Sequence, residues 1–257
     1  MKIWKTIFTI AKTLIIIVSI SHIVWKVYKE VQSGVLFNEL YDLNIGDLFT
    51  VLVVFVLVLA NWFFESIKFI YLVKPIQKIT IKQSIKGVLA GIAVSIFTPK
   101  RVGDFGGRIF VLESKNRVTG IFATLLGSLS QLLVTLIIGI ALFPFYFKTA
   151  DFIRENVSNI SLFFFIVFVI IIGLLIVYFN ISKVADVLCK FKFFKKHIEF
   201  ITFLKKYKNW ELGRVLLISF LRYAVFTLQY FLLLQIFGAN ISYFSAIIGI
   251  RDRKSVV

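Results

Sequence analysis

Long apolar runs constrain this chain more than any other feature, because backbone polar groups in lipid must find partners within the protein. A helix needs about 20 apolar residues to cross roughly 30 Å of hydrocarbon. Five runs come near or above that length, and we predict membrane helices at about 6–24, 48–72, 118–147, 162–179 and 213–237. A further run at 241–250 predicts a partial helix. The sequence therefore predicts an all-α fold, a polytopic transmembrane helix bundle.

The composition excludes a soluble domain. Hydrophobic residues make up 59% and charged residues 17% of the 257 positions, whereas soluble domains average about 45–50% and about 25%. The net charge of +17 falls in blocks between the apolar runs. The positive-inside rule accounts for such blocks, so we expect no nucleic-acid partner. The single cysteine, Cys189, excludes a cysteine-based metal cluster, and His22 and His197 lie far apart in the sequence, so we predict no metal and no cofactor.

The charges of the loops predict the orientation of the chain. The N-terminal end is basic, the loop at 26–47 is net acidic, and the segments 68–86 and 181–214 are strongly basic. Cytoplasmic loops of membrane proteins carry the excess of Lys and Arg. We therefore predict a multi-pass protein of a bacterial or archaeal cytoplasmic membrane, with its N-terminus in the cytoplasm.

A shorter apolar stretch at 87–98 would break this alternation if it crossed the membrane, because the basic residues after it would then lie outside. Its length of about 12 residues is typical of a re-entrant segment. We predict a re-entrant broken hairpin over 84–116 that starts and ends on the cytoplasmic face and turns at 98–108.

The turn at 98–108 is the main candidate for a ligand site. Arg101 and Arg108 offer planar forks suited to a phosphate, and Asp104 can pair with one of them. Glycines there would let the chain turn sharply and bring backbone N–H groups close to a ligand. They are Gly103, Gly106 and Gly107. The alternative is an ordinary cytoplasmic loop whose charges set the topology.

A second candidate cluster lies on the predicted helix 48–72. Asn61, Glu65 and Lys68 are spaced so that they share one helix face. An anchor at the membrane interface is the alternative interpretation. In the last full crossing, Arg222 needs a partner at membrane depth, and Glu65 and Asp104 are the candidates unless Arg222 reaches the interface.

The segments 61–68 (NWFFESIK) and 98–108 (TPKRVGDFGGR) resemble motifs of the lysylphosphatidylglycerol synthase transmembrane (flippase-like) family. The resemblance covers 1–250 as one domain, although members of the family often carry Glu where Asp104 stands. It implies translocation of a phospholipid or lipid-linked headgroup, with an anionic or aminoacylated membrane phospholipid as the partner. It does not imply aminoacyl transfer, because that activity belongs to a separate soluble domain.

We therefore expect a lipid flippase-like protein that is not an enzyme. Arg101, Arg108 and Lys68 would hold the phosphate, while Glu65 and Asp104 would hold an amine or balance the charge. Two alternatives stay open: a membrane-embedded transferase acting on lipid-linked sugars, and a non-catalytic assembly partner. Self-association into a homo-oligomer is also open.

The end of the sequence differs in character from the rest. Residues 251–257 (RDRKSVV) interrupt the apolar run that starts at Ile241. We expect this tail to be non-native, and the domain at 1–250 to be C-terminally truncated. The native chain would then continue past Ile250 with at least one more membrane segment.

Single cysteines test the orientation, in a Cys189→Ser background, at positions 40, 82, 115 and 155. We expect an impermeant thiol reagent added to intact cells to label only positions 40 and 155, because the loop charges place those loops outside. Labelling of position 115 from outside would show that the segment 84–116 crosses the membrane instead of returning.

Overall fold

The computed structural model describes residues 44–96, 98, 102–149, 160–190 and 202–237, together with 21, 25, 28, 29 and 243. The predicted helices at 6–24 and 241–250 and the tail lie outside this part of the chain, except for Ser21 and Tyr243. All regular structure in the described part is helical, which confirms the predicted all-α fold.

Seven α-helices occupy the described residues. They are α1 (Ile45–Val73), α2 (Ile81–Ile96), α3 (Gly103–Arg108), α4 (Arg117–Thr149), α5 (Ile160–Phe179), α6 (Ile181–Lys190) and α7 (Asn209–Ile236). Short 3-10 helices lie at Ile109–Val111, Ser114–Asn116 and Phe203–Lys206. Four helical stretches are long and apolar enough to cross a membrane: Ile45–Val73, Ser114–Leu142, Leu162–Phe179 and Asn209–Ile236. They coincide with four of the predicted crossings.

The ends of α1 follow from local chemistry. The carboxylate of Asp47 accepts a hydrogen bond from the backbone N–H of Asn44 at 2.9 Å, which satisfies a donor just before the first turn. At the other end, Lys74 donates its N–H to the carbonyl of Ile70 at 3.0 Å. Pro75 follows and has no N–H with which to extend the helix.

The chain between α1 and α4 forms a hairpin whose two ends meet. The side-chain oxygen of Gln77, before α2, accepts hydrogen bonds from the backbone N–H of Glu113 and from the side-chain amide of Asn116, both at 3.1 Å. Since Glu113 and Asn116 follow α3, the chain returns to the end of the bundle from which it departed. This is the geometry of the predicted broken hairpin.

Helices α2 and α3 pack closely because glycines leave room between them. A Cβ atom on Gly107 would lie 2.5 Å from the carbonyl oxygen of Ala90 and from backbone atoms of Gly91. A Cβ on Gly103 would lie 2.6 Å from the carbonyl oxygen of Val94. Backbone atoms cannot move aside as a flexible side chain can, so the close contact requires glycine at both positions.

This packing differs from the role that the sequence suggested for the glycines. Residues 103–108 are helical, so the three glycines lie within a helix and not in an irregular turn. The backbone N–H of Gly103 donates to the hydroxyl of Thr98 at 2.8 Å instead of facing a ligand. A Cβ atom on Gly106 would meet nothing within 4 Å, so the contact does not require glycine at that position.

Helices α1, α4 and α7 share one apolar core, which lies towards the C-terminal half of α1. The fully buried members that these three helices contribute are Phe69, Leu72 and Val73 from α1, Ala123 and Leu133 from α4, and Leu212 and Val215 from α7. The hydroxyl of Tyr178 in α5 donates to the carbonyl of Leu212 at 3.1 Å, which ties α5 to this end. The core positions α1, α4 and α7 so that their polar residues meet farther along the bundle.

Paired substitutions in α3 test the helix contact. Gly107→Ala should lower the free energy of unfolding by about 1–3 kcal/mol, as overpacked cores do. Gly106→Ala adds the same methyl group in the same helix, where alanine is about 1 kcal/mol better than glycine in helical propensity. It should therefore leave stability unchanged or raise it. Thermal unfolding in detergent measures both variants, and equal midpoints would contradict the close packing of α2 on α3.

Candidate functional site

A buried carboxylate joins three cations within the bundle. Oε2 of Glu65, in α1, forms a salt bridge with Nζ of Lys68, one helical turn later, at 2.9 Å. The same oxygen binds Nη1 of Arg222 in α7, and Oε1 binds Nη1 of Arg108 at the end of α3. Glu65 therefore links α1, the hairpin and α7 through charge.

A second carboxylate holds Arg108 in a planar pair. The oxygens of Asp104 accept hydrogen bonds from Nε of Arg108 at 2.9 Å and from Nη2 at 2.7 Å. The two residues are four apart in α3 and so share one face of that helix. Because Nη1 binds Glu65, every nitrogen of this guanidinium contacts a carboxylate. Such fork-to-fork pairs are among the stronger charge-assisted contacts.

Lys68 is the most deeply buried cation of the network, and it also contacts a glycine of α4. Its Nζ donates to the carbonyl of Gly127 at 3.4 Å. A Cβ atom on Gly127 would lie 2.6 Å from the end of the Leu72 side chain, so a larger residue there would require Leu72 to move. Sequence reasoning missed Gly127, because a glycine inside an apolar run gives no sign of its partner.

Arg222 lies in the middle of the 28-residue helix α7 and turns inward. Its Nε donates to the side-chain oxygen of Asn61 at 2.8 Å, and its Nη1 reaches the side-chain oxygen of Gln131 at 3.4 Å. These contacts, with the salt bridge to Glu65, decide between the two sequence interpretations. Arg222 pairs with Glu65 within the bundle, as the first of these interpretations expected.

The three cations differ in their access to the surroundings. The side chain of Arg222 is 24% exposed, against 8% for Arg108 and 2% for Lys68. Arg108 and Lys68 are therefore more enclosed by the packing, whereas the side chain of Arg222 is partly open to a space between the helices.

That space is a cavity of about 620 Å³, within the range of ligand pockets. All five charged residues of the network line it, and neutral polar and apolar side chains complete the wall. The neutral polar side chains are Asn61, Ser128, Gln131, Thr135 and Gln229. Ser128, Gln131 and Thr135 recur at helical spacing on one face of α4. This spacing is the signal by which the sequence could have revealed the contribution of α4.

The structure brings together six of the residues predicted for the site. They are Asn61, Glu65, Lys68, Asp104, Arg108 and Arg222. Arg101 lies outside the described residues. The three glycines of α3 are not among the residues that line the cavity. Within the described part of the chain, no cluster of three or more His, Cys, Asp or Glu side chains forms a metal-like ligand set.

Long apolar helices around a buried charge network define a polytopic helical membrane protein. Comparison with known families makes the assignment specific: the family described as lysylphosphatidylglycerol synthase TM region matches residues 10–250, and the chain belongs to it. This confirms the resemblance carried by the segments 61–68 and 98–108. Comparisons with curated proteins and with solved structures find no match.

Glu65→Gln tests the central position of this carboxylate. The substitution leaves three buried cations facing one acid, and breaking a buried charge network in this way costs about 3–5 kcal/mol. The matched control is Glu113→Gln, which removes an acid from a pair with Lys115 at 3.1 Å whose side chains are 57% and 79% exposed. Surface pairs contribute about 0–1 kcal/mol. Denaturant unfolding in detergent should separate the two variants clearly.

A double variant distinguishes charge from shape. Adding Lys68→Met to Glu65→Gln removes one of the uncompensated buried cations, so part of the lost stability should return. If Glu65→Gln and Glu113→Gln unfold alike, Glu65 does not organise the network. The same conclusion follows if the double variant loses as much stability as Glu65→Gln and Lys68→Met lose together when made singly.

Proposed function

We propose that the chain translocates a phospholipid or lipid-linked headgroup across the cytoplasmic membrane, through the cavity beside the charge network. The supporting observation is the position of Arg222, in the middle of a membrane-spanning helix and at the wall of a cavity of about 620 Å³. A charge at the centre of a bilayer costs about 2.5–3.5 kcal/mol on insertion scales, and such residues mark substrate pathways.

The wall of the cavity suits an amphiphile. Charged and amide side chains form one part of it, where a headgroup would bind. Trp62 and Phe226 form another part and are 37% and 60% exposed on the outer surface of the bundle. A headgroup could therefore lie against the network while its acyl chains extend past these aromatic side chains into the membrane.

The contacts within the network divide the roles differently from the sequence-based expectation. Arg108 was expected to hold a phosphate, but its three nitrogens bind Asp104 and Glu65. Arg222 is the more exposed arginine, and its planar fork matches a phosphate in the way that lysine cannot. We assign phosphate binding to Arg222 and positioning of α3 to Arg108.

Group transfer is less well supported than transport. A transferase that acts on lipid-linked sugars would need a carboxylate able to take a proton from the attacking group. The carboxylates of Glu65 and Asp104 both bind arginine side chains, and those are the acids that line the cavity. Among the described residues, contact with arginine therefore makes each acid of the cavity a poor candidate for a general base.

Two arginines of α7 provide a matched test of transport. Arg222→Lys keeps the charge but removes the planar fork, and loss of a hydrogen bond to a charged group costs about 1.5–3 kcal/mol. We expect headgroup translocation to fall about 10- to 100-fold. The measurement is dithionite quenching of acyl-labelled phospholipid in vesicles that contain the purified chain.

The control is Arg214→Lys on the same helix. Arg214 stacks on the ring of Trp210, 4.1 Å from its centroid, and does not line the cavity. This variant should transport like the unmodified protein. Equal rates for the Arg222 and Arg214 variants would show that Arg222 does not bind the headgroup. An assembly partner without transport activity would give no protein-dependent quenching at all.

A further inference from the structure

Among the described residues, the charges that line the cavity do not cancel. Lys68, Arg108 and Arg222 are cations, and Glu65 and Asp104 are the carboxylates that face them. One unit of positive charge is therefore left over among these five side chains. An uncompensated charge inside a bundle is costly, so the arrangement favours a ligand that brings one negative charge.

Every oxygen of the two carboxylates already binds a cation of the network. Oε1 of Glu65 binds Arg108, and Oε2 binds both Lys68 and Arg222. The two oxygens of Asp104 bind Nε and Nη2 of Arg108. An ammonium group would have to share an oxygen that already binds a cation, and it would add a second unit of positive charge to a site that already has a surplus.

Arg222 is the cation of the network that is most accessible from the cavity. Its side chain is the most exposed of the three cations, and the amide oxygens of Asn61 and Gln131 hold its guanidinium in place. Arg108 and Lys68 face inward and are covered by the packing of α1, α3 and α4. A phosphate that enters from the membrane would contact the guanidinium of Arg222 first.

From this balance of charge we infer that the cavity selects lipids whose headgroup carries one net negative charge at a phosphodiester, and discriminates against headgroups that carry an added amine. The inference rests on the proposed function and specifies its substrate class. A zwitterionic headgroup brings no net charge to the site, and a lysyl ester of phosphatidylglycerol brings a positive one. Both leave the surplus charge of the five side chains in place.

A panel of lipids tests this selectivity with the full chain and without any substitution. Phosphatidylcholine vesicles containing the purified protein receive trace amounts of one acyl-labelled lipid: phosphatidylglycerol, phosphatidylethanolamine or lysylphosphatidylglycerol. Dithionite quenching reports the rate of each. We expect phosphatidylglycerol to cross on the order of tenfold faster than the other two, because it alone brings a net negative charge to the surplus positive charge of the site.

A variant links the selectivity to the surplus charge. Arg222→Gln removes one cation and leaves the five positions neutral in sum, so the preference for phosphatidylglycerol should disappear even where slow transport remains. Arg214→Gln removes the same charge from the same helix away from the cavity and should keep the preference. A full preference in the Arg222 variant would contradict the inference.

The outcomes for the unmodified protein separate the two proposals. If no lipid crosses faster than in protein-free vesicles, the proposed function is wrong and the inference falls with it. If phosphatidylethanolamine or lysylphosphatidylglycerol crosses as fast as phosphatidylglycerol or faster, the protein transports lipid and only the inferred charge selectivity is wrong.

Discussion

The carboxylate of Glu65 is the interaction on which the rest of the bundle depends. It contacts a lysine of its own helix, an arginine of the hairpin and an arginine of α7. Apolar packing in a membrane has no hydrophobic driving force between helices, because lipid tails are as apolar as the side chains. A buried ion that needs three partners therefore specifies the register of α1, α3 and α7 in a way that their leucines and phenylalanines cannot. Gly103 and Gly107 then permit the close approach of α3 to α2.

Much of the fold could be predicted from the sequence, because a bilayer imposes simple rules on length and charge. The apolar runs predicted four of the spans within a few residues, and the shortness of the run at 87–98 indicated a hairpin. Helical spacing placed Asn61, Glu65 and Lys68 on one face, where the structure has them. The need of Arg222 for an acidic partner narrowed the choice to Glu65 or Asp104, and Glu65 is the one it contacts.

The remaining features depend on how distant segments meet, which spacing along the chain does not encode. Lys68 and Gly127 are far apart in the sequence, and their contact follows from the packing of α4 on α1. The glycines of α3 looked like ligand-binding turn residues because glycine serves equally for turns and for close helix contacts. The sequence also did not show that Arg108 already has a partner. Its planar fork suits a phosphate, but Asp104, one helical turn earlier, provides two oxygens at 2.7 and 2.9 Å.

The network also offers a physical reason for a headgroup to move helices. A phosphate at Arg222 would compete with Glu65 for the same guanidinium, since Nη1 of Arg222 is the atom that binds the carboxylate. Any weakening of that pair loosens the charge contact between α7 and α1, while Lys68 and Arg108 keep Glu65 compensated. Helix α7 could then shift against α1 without leaving a carboxylate buried and unpaired, which is the costly state. Because Arg108 would stay bound to Glu65, the hairpin would stay in place during this exchange. The arrangement of two acids and three cations thus lets one contact break while the others keep the bundle closed.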